Sequence, residues 1–520
     1  MTLRALPLLL LHGVCLGAAA PDVVLRNGLL VDGTGKAAFR GDVAVQGGRI
    51  QALGAVSVKG RVEIDVRGWV VAPGFIDVHT HAENIAEHPL AENFLRMGVT
   101  TLVLGNCGSS RVDLAAFFRG LEANGTAANV ASLIGHGTVR AQVMGGSFRR
   151  KPSADELDRM RQLTARAMRD GALGMSTGLI YLPGTFAETE ELLEMAKVVS
   201  THGGIYASHM RNEGTRIAQA IGELVRIGTE ARLPVHVSHI KIGDKTKWGE
   251  AAAVLGLLAK ARTAGVAVTQ DQYAYTASST GLRQLLPDDA VAGGRERFAQ
   301  LLDNPAEKAR IIQQMKERLK QSGREDYAYA VLAHYRHQTN FNGLSVPAAA
   351  RMRFGQSGMD QQIELLLEVE RNGGASAVFH GMNEDDLRTF LKDRHTMFAS
   401  DSGVRVWGEG VPHPRGYGNN ARFLARYVRE EHLITLEEAV GRMTSLPART
   451  FGIPDRGELK VGDWADVVVF DPATIADAAT YAAPHQYAKG VGWVLVGGRF
   501  VVEEGRSNGQ RHGRVVRRAN

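Results

Sequence analysis

Cysteine is scarce in this chain: its 520 residues hold two, Cys15 and Cys107. Long apolar runs are equally scarce. One stands at the N-terminus, in "MTLRALPLLLLHGVCLGAAAPD", with a basic start at Arg4 and small residues from Gly17 to Ala20. This order of basic, Leu-rich and small residues predicts a signal peptide over residues 1–20 and export to a periplasm or outside the cell. The run is short for a bilayer span, and no other segment is long and apolar enough, so no stable membrane insertion is expected after signal removal. Leu11, His12, Gly13 and Val14, ahead of Cys15, do not suit a lipid attachment site. Once the signal is removed Cys107 stands alone, which excludes a disulfide framework within the chain.

Charge of one sign is also missing. The formal net charge is +6, but 61 basic and 55 acidic residues are interspersed. The one basic cluster, the tail "GRSNGQRHGRVVRRAN", reads as a solvated terminus, and no nucleic-acid-binding motif accompanies it. Nucleic acid is therefore excluded as a partner, and the oligomeric state is left open. Neither a short repeat nor a low-complexity tract is evident. With 44% hydrophobic and 22% charged residues, the composition is that of a soluble globular enzyme.

What is present begins with β texture at both ends. "DVVLRNGLLVDGTGKAAFRGDVAVQGGRIQALG" alternates short strands with Asn-Gly, Asp-Gly and Gly-Gly turns. "GELKVGDWADVVVFDP" and "VGWVLVGGRFVVEEG" repeat that texture late in the chain. The expectation is a small β-sandwich domain built from residues 21–72 and 451–520, with residues 73–450 inserted between them. The middle offers eight short apolar runs that each end in polar residues: "APGFIDVHTH", "VTTLVLGNCG", "NVASLIGHG", "GALGMSTGL", "GIYASHM", "PVHVSHIK", "VAVTQDQY" and "TMFASDS". Helical patterns lie between them, which argues for an α/β fold of the (β/α)8 TIM-barrel kind. A mostly helical insertion is expected at about residues 281–370, before the last strand.

In such a barrel the reacting groups gather where strands end. His79 and His81 close the first run as "HTH", Cys107 follows the second, His209 ends the fifth, His239 the sixth and Asp401 the eighth. Taken singly, each has an ordinary structural explanation: a hydrogen-bonded histidine, a packed thiol, an aspartate capping a turn. Taken together, four imidazoles, a thiolate and a carboxylate at successive strand ends suit zinc, and an open coordination position suits hydrolysis.

The chain resembles the amidohydrolase superfamily of metal-dependent barrel hydrolases through "GFIDVHTH" and the late "SDS". Through "GVTTLVLGNCG", "GALGMSTGLIYLPG", "YASHMRNEG", "SHIK", "DQYAYTASST" and "HPRGYG" it is similar to the D-aminoacylase, or N-acyl-D-amino-acid deacylase, branch. The resemblance implies one zinc ion held by Cys107, His209 and His239, and a second, weaker site at His79 and His81 that shares Cys107. Many superfamily members bridge two metals with a carboxylated lysine on the fourth strand. Met175, Ser176 and Thr177 stand there instead, in keeping with Cys107 as the bridge. Asp401 matches the general base and acid, and Tyr181, Lys241, Tyr273, Ser279 and Arg415 match substrate-contacting positions. The implied activity is zinc-dependent hydrolysis of N-acyl-D-amino acids, small molecules, to a carboxylate and a free D-amino acid. Departures from the branch fall in the substrate pocket: Ala82 and Glu83 after "HTH", Ala274 in "YAY", and a long stretch between Asp401 and Arg415. The competing readings are a dipeptidase or cyclic-amide hydrolase of the same superfamily acting on D- or iso-linked substrates and, further off, a non-catalytic binding barrel.

Overall fold

The computed structural model describes residues 20–518. The expected signal segment, including Cys15, lies outside the described residues apart from Ala20. Eight parallel strands build the barrel: β1 (Phe75–Asp77), β2 (Val99–Leu104), β3 (Asn129–Ser132, resuming at Ile134–Gly135), β4 (Gly174–Gly178), β5 (Ile205–His209), β6 (Val235–Val237), β7 (Val268–Gln272) and β8 (Thr396–Phe398). Neighbours pair in sequence order around the ring. The ring closes beyond the strand ends, where Thr80 bridges Ser402 and the His81 N–H donates to the Ser402 carbonyl at 2.8 Å. The buried carboxylate of Asp77 adds a tie by accepting the backbone N–H groups of His79 and Ser400, each at 3.1 Å. Ile76, Val103, Ala131, Ile205 and Met397 from five strands share one apolar interior cluster. Filling of this kind makes the barrel a packed core rather than a pore.

The terminal segments build one nine-stranded sheet. Its two halves join where Val70–Pro73 pairs antiparallel with Val467–Phe470. Alternation decides the two faces: Val467 and Val469 face the sheet's own core, while Val468 and Phe470 pack toward the barrel. The sandwich expected from sequence takes the form of a single sheet. It curls until Ile50 donates its N–H to the Asp463 carbonyl and Arg49 bridges Trp464.

The insertion before β8 carries five helices between Asp288 and Arg371. It also contains a three-stranded antiparallel sheet of Ser278–Gly281, Ala330–His334 and Ser376–Phe379, so it reaches beyond the helical interval expected. These strands are four or five residues long, too short to show a period of two in sequence. The basic tail is the plainest correction. It runs along the barrel floor, with Gly513 N–H donating to Thr126 O and Val516 N–H to Val130 O at 2.7 and 2.8 Å. Val516, 3% exposed, joins the interior cluster. Two valines among the arginines outweigh the solvation of the rest.

Candidate metal centre and active site

The strand ends bring the predicted donors together around Cys107. Its Sγ lies 3.3 Å from His79 Nε2, 3.5 Å from His239 Nε2 and 3.7 Å from His209 Nδ1. Bonds of about 2.0–2.3 Å to a tetrahedral zinc place neighbouring ligand atoms roughly 3.3–3.8 Å apart, so these spacings fit such an ion. Buried His209 Nε2 has no hydrogen-bond partner, as suits a side chain built for another purpose. Three sets of donors converge closely enough to share an ion: His79, Cys107 and His239; His79, His81 and Asp401; and His209, Glu213 and His239.

Local backbone explains how the thiolate gets there. Cys107 (φ 51°), His239 (φ 35°) and Asp401 (φ 50°) all adopt the left-handed region, costly for non-glycine residues and concentrated at working sites. Gly105, before the cysteine, has φ 77°, and a Cβ there would lie 2.1 Å from the Leu133 carbonyl oxygen. Across the site, a Cβ on Gly178 would lie 2.1 Å from the Cys107 carbonyl oxygen. The glycines of "GNCG" and "STG" thus let the segment that carries the thiol pass close against the ends of β3 and β4.

Electrostatics keep the donors ionised. Burial alone would raise the Cys107 thiol. Contacts with His79, His239 and His209 hold it well below its usual value, as the thiolate. Asp401, also opposed by burial, is held well below the carboxylate range by Arg415 Nη1 at 3.0 Å and His81 Nε2 at 3.2 Å.

The cavity above these groups, about 920 Å³, is lined by His81, Cys107, Tyr181, Ser279, Asp401 and Arg415 among others. Thr280 Oγ1 donates to Tyr181 OH at 3.2 Å, which leaves the phenol proton free to be donated elsewhere. Burial and the nearby thiolate push the Tyr181 phenol well above its usual value, so it stays neutral. Ser279 contributes its backbone carbonyl, which accepts Arg415 Nη2 at 3.3 Å.

Two expected substrate contacts lie elsewhere. Tyr273 is buried under Arg415, whose guanidinium sits 4.5 Å from the ring centroid, and its hydroxyl reaches Met382 Sδ. Lys241 Nζ is 2.6 Å from Glu213 Oε1 and 2.8 Å from His239 Nδ1 and does not line the cavity. It meets His239, as its spacing suggests, but β6 ends at Val237 and the ammonium turns to a carboxylate.

Two acids that sequence reasoning left unassigned organise the histidines. Glu213, four residues after His209 in "HMRNEG", lies 3.1 Å from His239 Nδ1 and 3.6 Å from His209 Nε2. Burial opposes its charge, yet Lys241 and the two imidazoles bring its pKa down to about 2. Asp271, in the "TQDQY" run of β7, is fully buried. Its Oδ2 accepts His79 Nδ1–H at 3.1 Å and His236 Nε2–H at 2.8 Å, and its Oδ1 accepts the His239 backbone N–H at 2.9 Å. The available signals were the four-residue spacing from His209 and a lone acid on an otherwise uncharged strand.

A model of the Amidohydrolase family matches residues 62–502. The chain is 36% identical over 523 residues to "D-aminoacylase" of Alcaligenes xylosoxydans xylosoxydans, covering 96% of this chain and 98% of that one. It is 35% identical to "N-acyl-D-glutamate deacylase" of the same organism, covering 96% of each. A solved N-acyl-D-glutamate deacylase from Bordetella bronchiseptica, complexed with zinc and a phosphonate mimic of the reaction tetrahedral intermediate, superposes with a TM-score of 0.82 at 33% identity. That match covers 96% of this chain and all of the other.

Proposed function

The chain belongs to the amidohydrolase family, and on that premise we propose that it is a zinc-dependent N-acyl-D-amino-acid deacylase. It cleaves a linear amide to a carboxylate and a free D-amino acid. The observation that carries this reading is the Cys107 thiolate ringed by three imidazoles, beside an Asp401–Arg415 pair at the floor of a cavity.

Cys107, His209 and His239 would hold one zinc ion, with His79 and His81 offering a second site that shares Cys107. When bound, zinc supplies Lewis acidity that polarises the scissile carbonyl and acidifies water. The remaining work belongs to the protein. Asp401, kept ionised by Arg415 and His81, accepts a proton from the attacking water and delivers it to the departing nitrogen. Arg415, fully buried with its Nε unpaired, has a fork shaped for the α-carboxylate. Tyr181, neutral and with a free proton, donates to the oxygen on which negative charge develops.

The test is hydrolysis of N-acetyl-D-amino acids beside their L forms, dipeptides and hydantoins, with zinc quantified in the same preparation. Release of free D-amino acid by a zinc-containing protein is expected. Absence of turnover on every N-acyl-D-amino acid would overturn the reading. We further propose that the protein is exported, a reading supported by the composition of its N-terminus. Sequencing the N-terminus of protein recovered from an exported fraction checks this, with a start near Pro21 expected and an intact, cytosolic Met1 form counting against it.

A further inference from the structure

The cavity wall holds more charge than the proposed chemistry uses. Glu87 pairs with Arg111 at 3.8 Å, Glu83 Oε1 accepts the Gly105 N–H at 2.9 Å, and Asp401 answers both His81 and Arg415. One wall residue is left over. Arg405, in the long stretch between Asp401 and Arg415, forms no ion pair among the described residues. It is nevertheless firmly seated. Its backbone N–H donates to Asn93 Oδ1 at 3.2 Å and its Nε to Ser402 Oγ at 3.0 Å. Room for it comes from Gly416, where a Cβ would lie 2.9 Å from Arg405 Nε and 3.1 Å from its Cγ.

Two guanidinium groups therefore line one wall, and the nearby carboxylate of Asp401 is paired with Arg415 and not with Arg405. Burial and the charge of Arg415 lower Arg405 to about 10, which leaves it cationic at neutral pH. During the proposed reaction Asp401 is committed to proton transfer and Arg415 to the α-carboxylate. Arg405 is then a half-buried cation with no anion, an arrangement that is costly unless a ligand supplies the countercharge. A planar fork held by its Nε is suited to receive a carboxylate.

We propose that Arg405 is a specificity-determining residue that binds a second carboxylate of the substrate, so that the enzyme prefers doubly anionic N-acyl-D-amino acids. This rests on the deacylase reading above. The second carboxylate can come from the amino-acid side chain or from a dicarboxylic acyl group, and the experiment separates the two. The probes are N-acetyl-D-glutamate against N-acetyl-D-glutamine, N-acetyl-D-aspartate against N-acetyl-D-asparagine, and N-succinyl-D-leucine against N-butyryl-D-leucine.

In the wild-type protein kcat/KM should favour the dianion over its neutral counterpart by roughly tenfold or more in at least one pair, and that pair identifies the source. Arg405→Gln should collapse that ratio, and Arg405→Lys should restore part of it. A ratio near one in all three pairs, or a ratio unchanged in Arg405→Gln, would overturn the assignment while leaving the deacylase reading intact. Failure to hydrolyse any of the six would overturn both. Should Arg405→Gln not fold, Arg405→Lys carries the comparison: a ratio reduced in it supports the assignment, and an unchanged ratio, or a wild-type ratio near one in all three pairs, overturns it.

Discussion

Asp271 is the residue whose removal best tests how the centre is built. Three donors converge on its carboxylate: His79 Nδ1–H, His236 Nε2–H and the His239 backbone N–H. In Asp271→Asn the amide oxygen can serve the His239 N–H, but the NH2 group then faces two further donors. Each charge-assisted hydrogen bond is worth about 1.5–3 kcal/mol. Losing two of them, with partial relief by a tautomer change at His236, predicts about 3–5 kcal/mol of destabilisation, the range for a broken buried charge contact. The metal should feel it too. His79 presents a lone pair on Nε2 toward Cys107 only while its proton stays on Nδ1, and Asp271 holds it there. Freeing that tautomer should weaken zinc binding by about 10–100-fold, or about 1.4–2.7 kcal/mol. The assay is zinc competition against a chromogenic chelator at neutral pH, alongside thermal inactivation of the zinc-loaded protein. Thr269→Val, which touches only the far nitrogen of His236, serves as the control and should leave zinc affinity unchanged. An Asp271→Asn protein with wild-type zinc affinity and wild-type thermal stability would refute the reasoning.

Asp401→Asn should keep zinc and fold yet lose about 10²–10⁴ in kcat, the usual weight of a general acid–base; a wild-type rate with metal retained would contradict its role. A chain ending at Gly509 loses the floor contacts of Gly513 and Val516. It should be destabilised by about 3 kcal/mol, from the burial of one valine and its backbone hydrogen bonds, read as a shorter half-life on heating. A further test uses pH. Buried Glu191 pairs with His136 Nε2 at 2.8 Å and Arg140 Nε at 3.0 Å. Although burial opposes its charge, these contacts hold its pKa below the ordinary value of 4.5. A depressed folded pKa stabilises fully above the unfolded value and loses its contribution as pH falls through the folded one. The thermal-stability gap between wild type and Glu191→Gln should therefore be full above about pH 5 and shrink below about pH 4.5. A gap that stays constant down to acid unfolding would disprove the coupling.

The barrel and its donor set were legible in the sequence for a chemical reason. Each strand is a brief apolar run, and the residues after it must be histidine, cysteine or aspartate if a metal is to be held there. Glu213 and Asp271 carry no such mark. An acid in a polar loop or within a strand looks the same whether it is solvated or locks a histidine in place, and only the folded neighbours decide. The basic tail misled for the converse reason. Its eight charged or amide-bearing neighbours outvote Val515 and Val516 in any compositional reading, although buried Val516 and half-buried Val515 fix its path.

Lys241 shows where sequence spacing stops being a guide to this site. Alternation along a strand places residues i and i+2 on one face, and by that rule His239 and Lys241 should both look into the cavity. The rule requires extended backbone, and β6 has already ended at Val237, two residues before His239 with φ 35°. The same left-handed turn occurs at Cys107 and at Asp401, each just beyond a strand of the ring. A side chain that leaves a barrel wall and bends toward a shared centre has to break alternation, and a left-handed residue does so in one step. Each such residue costs about 1–3 kcal/mol of backbone strain, which surrounding contacts must offset. At His239 and Asp401 those contacts are visible: the His239 N–H is fixed on Asp271 Oδ1, and the Asp401 N–H on the His79 carbonyl, both at 2.9 Å. The strained positions thus coincide with the chemically committed ones, and the hydrogen bonds that hold them come from residues whose own side chains or neighbours complete the centre. Strain, ligation and support at the strand ends form one construction, which is why periodicity predicts the strands and fails two or three residues past their ends.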